Sequence, residues 1–342
     1  MSSQLEISVE GAMGMIALNR PEAINALSLD MIAGISAALI RWRDDDSIRA
    51  VLFEGRGPKG FCAGGDVRAV RTLVLDGQKD AAEAYFASEY RMNAQIASYV
   101  KPTIALTHGV VMGGGIGIAG HCRFRITQPD ARFAMPEVAI GFFCDVGVSA
   151  ILAKTPLNRA LLFEVSGASV GAEDALALGL SDCVIAPERQ HELRAGLIAA
   201  AGAAHPDEAI AALMEAESII AGDAKLSALA ELLPPGRPDS AGEFVARVAQ
   251  VPALAELSSL IATRSPSSIA ANFLAQIEAR RVMDVEATLR AELRLAALMG
   301  RQPDFAEGVR AVLVDKDYKP AWRPGRLADV DLEPILAALT GV

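Results

Sequence analysis

The chain has 342 residues, of which 52% are hydrophobic, 22% charged and only 5% aromatic, with a formal net charge of −10. Such a composition suits one large or two ordinary globular domains with cores of small aliphatic side chains, and excludes a disordered chain. The acidic balance argues against a nucleic-acid or anionic-membrane surface, since both need basic patches, but leaves room for a local basic pocket around a phosphorylated small molecule.

The N-terminus, Met1 to Ile7, lacks the charged and apolar regions of a signal peptide. The longest apolar run, Ile104 to Gly120, is interrupted by His108 and carries six glycines, too short and loose for a membrane span. Cys62, Cys122, Cys144 and Cys183 lack disulfide or metal spacing, and His108, His121, His191 and His205 are dispersed. The expectation is a soluble protein of a reducing compartment, the cytoplasm, without a structural metal.

Met13 to Leu18 and Ala50 to Glu54 have the profile of strands. Between them Leu29, Ile32, Ile35, Leu39 and Ile40 recur at helical spacing over Ser28 to Arg43, with Ser28 as N-cap and Asp44-Asp45-Asp46 marking the exit. Gly55 to Asp66 is a glycine-rich loop, followed by helices over about Asp66–Leu75 and Lys79–Tyr99. The strand Thr103–Thr107 leads into Met112-Gly113-Gly114-Gly115 and a helix to Ala119. Strands are predicted at Arg123–Thr127, Arg132–Ala134 and Cys183–Ile185, and helices at Val148–Ala153, Leu157–Val165 and Ala172–Ala177. Twice the order is strand, glycine-rich loop, helix, which points to stacked β-β-α turns.

After Pro187 the chain turns alanine- and leucine-rich with helical periodicity and proline breaks at Pro206, Pro234-Pro235, Pro252 and Pro266. The fold class predicted is therefore α/β, with a core over 1–190 and a helical C-terminal region over 191–342. A last capped helix is expected over Pro303–Lys316 before a proline-bearing tail.

Gly115-Ile116-Gly117-Ile118-Ala119-Gly120 matches the dinucleotide fingerprint in form only. That fingerprint needs a strand directly before it and an acid ending the next strand, whereas here the segment His108 to Met112 intervenes and Arg123–Thr127 ends in Thr127-Gln128. Gly64-Gly65 and Gly113-Gly114 are more informative as a pair. Each precedes a predicted helix, and two converging backbone N–H groups suit a developing oxyanion, although tight turns alone also explain glycines. Glu137 follows a proline among Phe133, Met135, Ile140, Phe142 and Phe143, where a carboxyl group with a raised pKa suits acid–base work; a solvent-facing loop acid is the plain alternative. Asp145 reads equally as a helix cap, Cys144 as a small buried thiol, and Glu89 as an ordinary acid on an amphipathic helix.

Taken together and in order, Leu18-Asn19-Arg20-Pro21-Glu22-Ala23-Ile24-Asn25-Ala26-Leu27, Phe61-Cys62-Ala63-Gly64-Gly65-Asp66, His108-Gly109, the triple glycine and Met135-Pro136-Glu137 resemble the enoyl-CoA hydratase/isomerase (crotonase) superfamily. The resemblance implies a crotonase-like spiral of β-β-α turns and an acyl-CoA substrate. It also implies an oxyanion hole from the N–H groups of Gly65 and Gly114. Hydratases of the superfamily carry one catalytic Glu two residues after the triple glycine and another in the Pro-Glu motif. Here the first position is Gly117, and only Glu137 remains. Where hydratases have glycine, this chain has Asp145.

Glu137, Gly141, Phe143, Asp145-Val146-Gly147, the Glu89-Tyr90 pair and the run Phe305 to Trp322 with Asp315-Lys316-Asp317 instead resemble the 3-hydroxyisobutyryl-CoA hydrolase branch. That pattern usually has proline at Cys144 and glycine at Val148; both positions flank Asp145 and bear on the acyl group accepted. The resemblance implies Glu137 as the group that attacks the thioester or activates water, and Asp145 as its partner. Glu89 is expected at the acyl hydroxyl, Ala63 and Asp66 at the CoA end, and Lys316 at a phosphate. It implies no metal or redox cofactor, CoA being part of the substrate. Relatives often associate through C-terminal helices, so a homo-oligomer is compatible with it. The alternatives are hydration or isomerisation of an enoyl-CoA by the same acids, or a non-catalytic CoA-binding scaffold.

Overall fold

The computed structural model describes residues 4–219 and 222–341. Strands β1 (Leu5–Glu10), β2 (Met13–Leu18), β3 (Ala50–Gly55), β4 (Gly60–Cys62), β5 (Thr103–Thr107), β6 (Val110–Met112), β7 (Phe124–Thr127), β8 (Arg132–Ala134) and β9 (Cys183–Val184) form two sheets. The larger runs β1-β2-β3-β5-β7-β9, antiparallel only at the β1–β2 hairpin, and the smaller runs β4-β6-β8. Three times a strand of the large sheet is followed directly by one of the small sheet. After the first two of these pairs a helix leads back to the large sheet. This is the spiral of β-β-α turns that the sequence predicts. Strands β4 and β6 fall inside stretches predicted as loops, because three residues carry too little alternation to register.

The described chain falls into two compact units that interleave along the sequence: Met1–Gly65, Arg91–Phe133 and Val170–Asp223 in the first, Asp66–Tyr90, Ala134–Ser169 and Ala224–Val342 in the second. In the first unit, helices Gln190–Ala201 and Pro206–Glu217 supply Leu193, Leu197, Ile210 and Met214 to a core with Met13, Leu52, Ile104 and Ile126 of the large sheet. Arg194 fastens the same helix to the sheet, donating to Glu54 at 2.8 Å and to Glu10 at 2.5 Å. The compositional change after Pro187 and the division into compact units are thus different partitions of the chain. Helix Leu29–Arg43 starts where the sequence places it, with Ser28 Oγ accepting the Met31 N–H at 3.3 Å. Its buried face ends in Trp42, whose indole lies flat against Gly14 of β2.

The second unit is helical. Helix Pro266–Val282 is buried along most of its length, and Ser265 caps it while donating to Asp304 at 2.8 Å. The single helix expected over Pro303–Lys316 is instead an α-helix, Pro303–Val309, followed by a π-helical turn, Arg310–Val314. The Arg310 guanidinium gathers Glu307, Asp315 and Asp317 there, and the chain leaves the turn with Lys316 at φ 56°. The tail carries a further helix, Glu333–Thr340, that its short apolar run did not announce. Trp322 donates its indole N–H to the Thr263 carbonyl at 3.0 Å. Among the described residues no single helix is long and apolar enough to cross a membrane; only the pair Ala241–Ala249 and Pro252–Ile261, bent by 106°, qualifies when taken together.

A Cβ at Gly14 would sit 2.7 Å from the Trp42 ring, closer than real side chains approach. Gly14→Ala is therefore expected to displace the indole and cost about 1–3 kcal/mol, read as a lowered midpoint in thermal unfolding followed by circular dichroism. An unchanged midpoint refutes the overpacking.

Candidate active site

The first unit carries the glycine loops. Asn25, fully buried and left-handed at φ 56°, donates its amide to the carbonyls of Arg56 at 3.0 Å, Gly60 at 3.2 Å and Phe61 at 3.0 Å. Its Oδ1 accepts the Arg20 N–H at 2.8 Å. Asparagine is among the few side chains that tolerate this backbone region. Two further bonds finish the clamp: Ala63 N–H to the Ile24 carbonyl and Leu27 N–H to the Gly64 carbonyl, each 2.8 Å. The motif from Leu18 to Leu27 is thus the cradle that sets the loop bearing Gly64-Gly65.

The second loop abuts the first. A Cβ at Gly64, where φ is 102°, would lie 3.2 Å from the Met112 carbonyl oxygen and 3.4 Å from the Gly114 nitrogen; one at Gly115 would lie 2.6 Å from the Cys62 carbonyl oxygen. Glycine is required for this approach as much as for the turn. Among the described residues neither the Gly65 nor the Gly114 N–H donates a hydrogen bond. All of helix Gly114–Ala119 is buried, and Gly117 puts no acid into it.

The second unit carries the acids. Pro136 starts a 3₁₀ turn, Pro136–Ile140, that holds Glu137 8% exposed. Gly141 ends the turn at φ 70°, and a Cβ there would lie 2.2 Å from the Asp304 carbonyl oxygen. Phe142 stacks on Phe86 at 5.0 Å between centroids and also meets Phe143 and Phe305, walling the turn with apolar rings. Glu89 lies on helix Lys79–Ala97 and Asp145 beyond Phe143; they are 3% and 5% exposed. Tyr90 Oη donates to Asp145 Oδ2 at 2.6 Å. Cys144 N–H donates to Asn272 Oδ1, and Gly147 N–H to Glu292 Oε2, both at 2.7 Å.

These three carboxyl groups face one another without a cation: among the described residues none of them forms an ion pair. Burial, then the nearby Asp145, pushes Glu89 up to about 8. Burial, with Asp145 and Glu89 adding to it, pushes Glu137 well above the usual carboxylate range. Burial also lifts Asp145 to about 7, against the opposing pull of the Tyr90 hydroxyl and a backbone N–H. Glu89 Oε1 and Glu137 Oε2 have no hydrogen-bond partner among the described residues. An orphaned buried oxygen is costly, and two in one cluster mark a place where a polar ligand is expected.

The remaining residues are placed as follows. Asp66 caps helix Val67–Leu75, accepting the Ala69 N–H at 3.3 Å, and Lys316 stands exposed on the loop after the π-helical turn. Cys144 is wholly buried, and burial followed by Glu137 drives its thiol far above the ordinary range, so it is a packing residue and not a nucleophile. The proline usual at that position would leave Asn272 Oδ1 without this donor. Tyr90, Asn272 and Glu292 did not stand out in the sequence as parts of the site: Tyr90 was marked only as the neighbour of Glu89, and the other two sit in alanine-rich helices without any motif. Among the described residues no set of three or more histidine, cysteine, aspartate or glutamate side chains could hold a metal ion.

Comparison with known proteins gives the family. The enoyl-CoA hydratase/isomerase family profile matches residues 13–339. The mitochondrial 3-hydroxyisobutyryl-CoA hydrolase of Danio rerio is 34% identical over 94% of this chain and 85% of its own length; the human protein of that name is 33% identical over 98% and 88%. A crystal structure of a carnitinyl-CoA dehydratase from Mycobacterium thermoresistibile superposes with a TM-score of 0.89 at 33% identity, covering 99% of this chain and 96% of that one. The chain therefore belongs to the enoyl-CoA hydratase/isomerase (crotonase) family.

A carboxyl group raised by burial binds its proton more tightly folded than unfolded. Its stabilising effect is complete below the unfolded value and is lost as pH rises through the folded one. For Glu89 that window runs from about 4.5 to about 8. Glu89→Gln is accordingly expected to stabilise the protein by about 1–3 kcal/mol at pH 9 relative to wild type, and by much less at pH 5. Thermal unfolding at the two pH values checks it, and an equal difference at both refutes it.

Proposed function

We propose that this protein hydrolyses the thioester of a short 3-hydroxyacyl-CoA, with 3-hydroxyisobutyryl-CoA, the intermediate of valine breakdown, as the substrate. The observation that carries this reading is the cluster of Glu89, Glu137 and Asp145, buried, paired with no cation among the described residues and with two orphaned oxygens. The relatives named above as hydrolases support it.

The thioester oxygen is assigned to the N–H groups of Gly65 and Gly114, which stabilise the tetrahedral oxyanion. Glu137, once ionised, attacks the carbonyl to give a mixed anhydride or draws a proton from the water that attacks; a carboxylate raised by burial is the stronger base for either route. On the anhydride route the Glu137–acyl C–O bond forms as the C–S bond breaks, and water then cleaves the anhydride to give the acid and return Glu137; on the direct route the water oxygen bonds the acyl carbon as the C–S bond breaks. In both the departing thiolate takes a proton, so that the products are the acid and the free CoA thiol. Asp145 orients the water or the leaving group, and the Glu89 carboxyl group meets the acyl hydroxyl. Ala63 and Asp66 are assigned to the CoA end and Lys316 to a phosphate. Every step uses carboxyl groups and backbone amides, so no metal or redox cofactor is invoked.

Hydration of an enoyl-CoA is less well supported, because Gly117 leaves one of the two acids of that reaction unsupplied. For location we propose a reducing compartment, in keeping with four free buried thiols. The zebrafish and human relatives are named as mitochondrial. Self-association remains compatible with the reading and is not required by it.

Incubation with 3-hydroxyisobutyryl-CoA and a thiol reagent is expected to show CoA release that falls by about 10²–10⁴-fold in Glu137→Gln. Loss of the enoyl absorbance of crotonyl-CoA without thiol release sinks the proposal.

A further inference from the structure

We propose that Tyr90 is a positioning residue for this chemistry: its hydroxyl fixes the orientation and hydrogen bonding of the Asp145 carboxyl group. The inference rests on the thioester-hydrolysis reading and adds a residue to it.

The backbone around Asp145 explains why such a restraint is needed. Val146 follows at φ 57° and Gly147 at φ 76°. A left-handed β-branched residue is strained and persists only where its surroundings over-determine it. The turn is held at three points by buried side chains from three helices: Asn272 of Pro266–Val282 takes the Cys144 N–H, Glu292 of Val285–Met299 takes the Gly147 N–H, and Tyr90 of Lys79–Ala97 takes the Asp145 side chain. The first two restrain backbone. Only Tyr90 holds the functional group itself.

The chemistry of the bond is one-directional. Burial, followed by the charge of Asp145 beside it, raises the Tyr90 phenol well above its ordinary value, so it stays a donor over the whole working range. Asp145 is faced by Glu89 and Tyr90 from one helix, Glu137 from the 3₁₀ turn, Glu292 from another helix and the thiol of Cys144. Of these, Tyr90 alone bonds to the Asp145 side chain. Burial and the neighbouring acids all disfavour charge in this cluster, and the Tyr90 hydroxyl, ahead of a backbone N–H, is what favours it on Asp145 in particular. Glu89, the preceding residue on the helix, thereby lies beside an acid whose orientation is already set.

Tyr90→Phe keeps the ring that packs against Phe86 and removes only the hydroxyl. Two measurements test the idea. In a double-mutant cycle with Asp145→Asn, read as kcat on 3-hydroxyisobutyryl-CoA, Tyr90→Phe is expected to lower kcat about 10- to 100-fold in the wild-type background, with KM changing less. In the Asp145→Asn background it should have almost no further effect. Equal losses in both backgrounds overturn the proposal. The second measurement does not depend on activity. Carboxyl ¹³C NMR of aspartate-labelled protein, with Asp145→Asn assigning the signal, should show the Asp145 titration moving upward by about one pH unit in Tyr90→Phe. An unmoved titration overturns it as well. A wild type that releases no CoA discards the hydrolase reading, while the NMR shift still decides whether Tyr90 governs Asp145.

Discussion

The second unit is organised by the cost of burying several carboxyl groups together with no cation against the three at the site. A lone ionised carboxylate in an apolar interior is penalised by several kcal/mol even after relaxation, and adding like charges deepens the penalty. The fold answers with neutral partners: a phenol, backbone N–H groups and a wall of phenylalanines. Glu164, another buried acid in that unit, accepts from Ser149 at 3.1 Å, and Gln276 reaches it when its amide is turned to satisfy both groups. Ser149 sits on the short helix Val148–Leu152 and Gln276 on the long, largely buried helix Pro266–Val282.

The first unit solves a different problem. Two stretches of bare backbone have to approach within van der Waals contact while leaving N–H groups unspent. Asn25 makes this feasible by consuming the carbonyls of the first loop, and the missing Cβ atoms at Gly64 and Gly115 permit the approach. In both units the glycines and strained positions mark where geometry was chosen over local preference.

Much of this was legible in the sequence. Helix Leu29–Arg43 with its Ser28 cap, strands β2, β3 and β5 and the order of β-β-α turns follow from periodicity and punctuation alone. Glu137 stood out because a proline and aromatic neighbours surround it. What stayed hidden depends on contacts distant in sequence. Three-residue strands pair only because other turns of the spiral lie beside them. At the π-helical turn Arg310 gathers three carboxylates, an arrangement no window of helical propensity encodes. Asn272 and Glu292 meet residues 128 and 145 positions away, so their roles leave no trace in local pattern.

The placement of the two tryptophans has a practical consequence. Trp42 is buried against the sheet of the first unit, and Trp322, bonded to the Thr263 carbonyl, belongs to the second. Each compact unit therefore carries its own intrinsic fluorophore, in a different solvent environment. Replacing either with phenylalanine leaves an optical signal from the other alone, so the loss of structure in the glycine-loop unit and in the acid-bearing unit can be timed separately in the same intact chain.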